Sequence, residues 1–165
     1  MARNSKTVAP KNLEHLLQKL APLGQINGVQ DYLLADCLGR VLARKPGSVW
    51  EEEIAGACAR DVAQVGEILG LFYSPDGEER VFDFRFEGAL LIAWDFGSAY
   101  LVAVCSEEVD VPMTRLTDIV IKEELRKDKR CRRYLAPRRG GDGGLLTEKE
   151  LGHEPYKHVA ALKQR

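Results

Sequence analysis

The 165 residues hold little of what usually marks a chemistry. Four cysteines, Cys37, Cys58, Cys105 and Cys131, lie far apart with no CxxC pair, which excludes a disulfide framework and a zinc spacing. Histidine is scarce: His15, next to Glu14, reads as a solvated side chain, and His153 and His158 are five apart, a spacing that does not put two rings on one helix face. No stretch approaches the roughly 18 apolar residues of a membrane span. MARNSKTVAPKN at the start has no apolar core of a secretion signal, so a reduced, cytoplasmic protein is expected. No Gly-rich phosphate loop ends in Lys-Ser/Thr and no Gly-x-Ser-x-Gly turn occurs, so the chain is not expected to hydrolyse nucleotide or to act as an enzyme. No catalytic residue, cofactor or metal site is nominated.

Net charge is also nearly absent, at −1, which excludes an all-round basic coat and an acidic mimic. The balance hides a segregation. Residues 1–121 carry 11 cationic and 18 anionic side chains, 122–139 carry 9 and 3, and 140–165 carry 4 of each. An acidic body is followed by a basic segment and a neutral, Gly-rich end. At roughly 150 residues per domain, one domain is expected. The reading divides the chain into a flexible start (1–12), a domain (13–135) and a flexible Gly-rich tail (136–165).

Within the domain, Leu13, Leu16, Leu17 and Leu20 make one helical stripe, which Pro22 and Gly24 end. Val29 to Asp36 and Arg40 to Arg44 read as a hairpin turning at Cys37-Leu38-Gly39. Ser48 with Glu51 has capping-box spacing, and Glu51, Glu52 and Glu53 load the positive end of a helix expected to run to about Leu69 and stop at Gly70. Arg80 to Glu87 alternates, with Phe82, Phe84 and Phe86 on one face and Val81, Asp83, Arg85 and Glu87 on the other. The apolar runs 89–94 and 99–105 read as further strands, and Trp94 and Trp50 as core or helix-entry anchors. A last helix starts near Pro112, takes its apolar side from Leu116, Ile119, Val120 and Leu125, and grades into the basic segment. The order is α-β-β-α-β-β-β-α, an α+β fold with a five-stranded antiparallel sheet and helices expected on one face.

On a helical wheel the middle helix has two apolar stripes. One is bulky: Ile54, Cys58, Val62, Val65, Leu69. The other is small: Gly56, Ala59, Ala63, Gly66, Gly70. Small residues let a second backbone come close, so the small stripe is assigned to a helix of a partner subunit, with packing on the chain's own sheet as the alternative.

These words in these places resemble the Roadblock family of dynein-associated light chains and its prokaryotic relatives. Ile26-Asn27-Gly28-Val29 and the strand after it resemble the family's opening I-x-G-V. Leu38-Gly39-Arg40-Val41-Leu42-Ala43 resembles its D-G-x-x-L-A hairpin, and Tyr100-Leu101-Val102-Ala103-Val104 its last strand. Arg115 resembles an arginine near the start of its last helix. Cys37-Leu38 departs from the usual polar turn, as does the extension beyond Leu125. The resemblance implies a profilin-like Roadblock fold and a homodimer, or a heterodimer with a second Roadblock-like chain, through the middle helix and third strand. Gly56, Ala59, Ala63, Gly66, Gly70, Val81, Asp83 and Arg85 would form that interface. It also implies a Ras-like small GTPase as partner, regulated or scaffolded like the partner of the gliding-motility activator. Arg60, Glu67, Arg126, Lys127, Arg130, Arg132 and Arg133 are the candidate contacts. The competing readings are a nucleotide-independent adaptor and, third, contact with nucleic acid through Lys122–Arg139. Tyr134 is the one aromatic interleaved there, which does not make a base-stacking platform.

Overall fold

The computed structural model describes residues 10–73 and 80–135. Elements follow in the order α1 (Pro10–Leu20), a 3-10 turn (Ala21–Gln25), β1 (Val29–Asp36), β2 (Val41–Arg44), α2 (Glu52–Tyr73), β3 (Arg80–Phe86), β4 (Ala89–Asp95), β5 (Ala99–Cys105), α3 (Val111–Lys127) and a 3-10 turn (Arg132–Leu135). The five strands form one antiparallel sheet in the order β2-β1-β5-β4-β3. The central pair β1–β5 is the most apolar, as expected of strands covered on both faces. Gly39 turns the β1–β2 hairpin at φ +73°, and an added Cβ there would stand 2.4 Å from the Cα of Arg60 on α2. Both the turn and the close approach require glycine.

Helices cover both faces of the sheet, not one. On one side α1 and α3 pack Leu16, Leu20, Ile121 and Leu125 over Leu34, Trp94 and Leu101. On the other, α2 packs Ala55, Ala59, Val62 and Ala63 over Leu33, Ala35, Ala93, Tyr100 and Val102. A single helix suffices for the second side because its contact residues are small and it lies close to the strands.

Three local expectations are corrected. Gly70 does not stop α2, which continues to Tyr73; an interior glycine costs a helix only about 1 kcal/mol. Ser48 does not cap α2. Its hydroxyl donates to the carboxylate of buried Asp31 and accepts from the Trp50 N–H, since a buried carboxylate must be hydrogen-bonded. The helix opens at Glu52 instead. Leu116, Ile119 and Val120 do not face the core with Leu125: each is more than half exposed, while Thr114, Asp118 and Lys122 are buried on the inner face. Burial of Thr114 and Lys122 is offset locally. The Thr114 hydroxyl donates to the Val111 carbonyl, and the Lys122 ammonium sits 5.5 Å from the Phe96 ring centroid. The cap of α3 is Asp110, which accepts from the Met113 N–H.

Candidate partner-binding surfaces

The two stripes of α2 take opposite sides from those expected. Ala59 and Ala63 are buried against the chain's own sheet, and Gly66 lies so close to Tyr100 that a Cβ would meet its hydroxyl at 2.5 Å. These three are therefore not available to a second subunit. The sheet takes the small residues because Tyr100, fully buried under α2, fills the space that a larger side chain would need. Gly56 differs: a Cβ there would meet nothing within 4 Å. Gly70 lies in α2, but its surroundings fall outside the described residues.

Of the bulky stripe, Val62 is buried and Cys58 packs in part against the same sheet cluster, Ile54 and Val65 lie farther out, and the side chain of Leu69 falls outside the described residues. Ile54 is 54% exposed and Cys58 and Val65 are half-buried, along one line of the helix. Burial beside Asp61 pushes the Cys58 thiol up to about 11, so it is an apolar side chain at neutral pH and not a nucleophile. The wheel shows both stripes, but not which of them the sheet accepts; the signal was the arc between them, wider than a single-sided helix needs.

Beside α2 lies β3. It pairs with β4 over its whole length, Arg80 opposite Asp95 to Phe86 opposite Ala89, and its other edge meets no strand among the described residues. Phe82 is held by edge-on contacts with Phe84 and Tyr100, at 5.8 and 6.2 Å between centroids. Phe86 is 60% exposed and Val81 40%. Asp83 and Arg85 form an exposed ion pair of 3.6 Å with each other, a contact worth well under 1 kcal/mol. Any pairing at this edge rests on the backbone N–H and C=O groups of 80–86, not on those side chains.

The candidate contact residues do not form one surface. Arg60 is exposed on α2 and lines a groove of about 880 Å³ with Leu38, Gly39, Arg40, Val41, Gly56 and Glu51–Glu53. Arg40 in that groove is held by Asp36, at 2.6 Å. Glu67 is half-buried on the same helix. Arg126, Lys127, Arg130, Arg132 and Arg133 lie at the far end of α3, which packs on the other face of the sheet. Several are already engaged. Arg126 pairs with Glu123, Lys127 with Glu124 at 3.3 Å, and the Arg133 guanidinium lies over the Tyr134 ring and donates to its hydroxyl. Tyr134 and Cys131 are anchored in the core beneath α1 and α3, so the basic segment folds back on the body as far as Leu135.

His15 does not stay solvated: its Nε2 pairs with the Asp128 carboxylate, tying α1 to the end of α3. Lys19 reinforces the tie through Glu124, at 2.9 Å. Lys19 and Lys127 hold Glu124 below its ordinary value, and Asp128 is lowered by the Arg130 backbone N–H and by His15. No cluster of three or more metal-ligating side chains occurs among the described residues, and no described helix is long and apolar enough to cross a membrane.

No model of a known protein family and no curated protein matches the chain. Solved structures do. The gliding protein MglB of Thermus thermophilus is 22% identical, with a TM-score of 0.57 over 76% of this chain and 96% of that one. The Roadblock/LC7 domain of Streptomyces avermitilis is 15% identical, with a TM-score of 0.55 over 73% and 97%. The chain has the Roadblock fold. Myxococcus xanthus MglB shares it at 15% identity and a TM-score of 0.52, over 77% of this chain and 91% of its own. Within the Roadblock fold of this chain, β3 reaches α2 through Arg80, whose guanidinium donates to the Gly66 carbonyl at 3.4 Å, and through Phe82, which packs against the α2 cluster.

Proposed function

We propose that the chain is one subunit of a dimer that regulates or scaffolds a Ras-like small GTPase, without catalytic residues of its own. The observation that carries this reading is the pair of unsatisfied features, an apolar outer stripe on α2 and an unpaired β3 edge. Either alone is a liability in a soluble protein; together they match what a second copy, or a second Roadblock-like chain, would satisfy at once. The interface reads as Ile54, Cys58 and Val65 of α2, with the backbone of β3. Likeness of fold to MglB and the sequence resemblance support a small GTPase as the partner. The groove around Arg60, with cationic and anionic side chains on its rim, is the surface offered to it.

The test has two parts. Sedimentation of the full chain reads a dimer, and Val65→Glu converts it to a monomer that still unfolds cooperatively, at a melting temperature that no longer rises with protein concentration. A dimer that survives Val65→Glu overturns the interface. Capture of small GTPases from source-cell lysate, split between GDP and a non-hydrolysable GTP analogue, then reads the partner. Retention in one nucleotide state supports a regulator. Equal capture of a larger assembly in both states refutes it in favour of an adaptor.

A further inference from the structure

α3 carries a second apolar face that neither the core nor the proposed dimer uses. Met113, Leu116, Ile119 and Val120 are 46, 59, 53 and 55% exposed. At about 100° per residue they occupy one arc, opposite the arc of Thr114, Asp118, Ile121 and Leu125 that faces the sheet. An exposed face of this kind on a helix that is already fully packed on its other side marks a contact. The helix is moreover polar from end to end. The approach to its N-terminus carries exposed Glu107, Glu108 and Asp110 and no cation. Its other end carries Arg126 and Lys127, paired to Glu123 and Glu124, and beyond Asp128 the exposed Lys129, Arg130, Arg132 and Arg133 leave that end net basic.

We propose that this face binds the same face of a second copy, with the two α3 helices antiparallel about a two-fold axis between Leu116 and Val120. An antiparallel copy is the partner this pattern selects. It puts apolar side chains against their equivalents and sets each acidic end against a basic end, Asp110 toward Arg126 and Glu107 toward Lys129. A parallel copy would set like charges together. The face is small beside the roughly 800 Å² per partner of a standard interface, so the contact is weak and forms with rising concentration. It is independent of α2 and β3, which lie elsewhere on the molecule, and would join dimers in pairs.

Sedimentation velocity of the full chain across a hundredfold range of concentration tests this. The expected result is a step that doubles the mass at the high end, absent in Val120→Glu and in Leu116→Glu. The same step should persist as a monomer-to-dimer transition in the Val65→Glu background, which separates this proposal from the α2 interface. Charge reversal decides the geometry. Glu107→Lys with Glu108→Lys should remove the step, as should Arg126→Glu with Lys129→Glu, and the four changes combined should restore it. These positions are exposed, and unchanged melting temperatures show that the variants fold. No mass doubling in the unmodified chain, or no restoration in the combined variant, overturns the proposal. So does a step that appears only after residues 136–165 are deleted, which would make the chain's own tail the occupant.

Discussion

The two interior glycines Gly56 and Gly66 should respond in opposite directions to the same substitution. In a helix interior, alanine is favoured over glycine by about 1 kcal/mol, so Gly→Ala starts with that gain at both positions. At Gly56 the new methyl meets nothing within 4 Å, and the gain is kept. At Gly66 it would stand 2.5, 2.7 and 2.8 Å from the hydroxyl, Cε1 and Cζ of Tyr100, all too close. The ring is rigid, fully buried and braced edge-on by Phe82, so it cannot swing aside as an exposed flexible chain would. Overpacking of this kind costs about 1–3 kcal/mol, enough to cancel the propensity gain and leave a net loss of about 1 kcal/mol. The two variants should therefore differ by about 2 kcal/mol, read as a difference in urea midpoint at a common m-value, or as several degrees in melting temperature. Equal midpoints, or a more stable Gly66→Ala, would refute the packing of α2 on Tyr100.

Gly39→Ala should cost more than 2 kcal/mol by thermal melt, because it meets a positive φ and the Arg60 backbone at 2.4 Å together. Leu125→Ala should cost about 2–5 kcal/mol in urea, whereas Leu116→Ala, nine residues earlier on the same helix, should stay within about 0.5 kcal/mol at low concentration. Glu124 and Asp128 are held below their ordinary values in the folded chain, Glu124 by Lys19 first and Asp128 by the Arg130 N–H first. The stability they add is complete above the ordinary carboxylate range and is lost as pH falls through the lowered values. Glu124→Gln should therefore flatten the acid side of a urea-midpoint profile between about pH 5 and 2, and an unchanged slope would refute that contribution.

Much of the fold was legible because backbone chemistry marks it locally. The alternation of 80–87, the apolar runs of β4 and β5, and Gly39 at a tight turn each specify an element from a few neighbouring residues. The faces of α2 and α3 were not legible in the same way. Ala59, Ala63 and Gly66 suit a close helix as well as a close sheet, and the buried ring of Tyr100, 34 positions beyond Gly66, decides between them. On α3, hydrophobicity alone put Leu116, Ile119 and Val120 on the inner side with Leu125; they face outward because Ile121 and Leu125 already fill the space over the strands. His15 looked solvated because its partner, Asp128, is 113 residues away. The partner-facing residues are the hardest to read, since an apolar side chain reserved for another molecule looks like one meant for the core.

The two margins of the sheet are not equivalent. β3 is a straight run of seven residues, whereas β2 has only four and its pairing to β1 slips at Leu34/Ala35. A short, irregular margin is a poor template for another strand. A sheet with two good margins could add copies without limit and grow into a fibre. Here, joining at β3 would use up the good margin on both molecules and leave β2 outermost at each end, so growth through the sheet would halt at two chains. The shortness of a four-residue strand thus works as a chain terminator, keeping an adhesive edge from becoming an aggregating one.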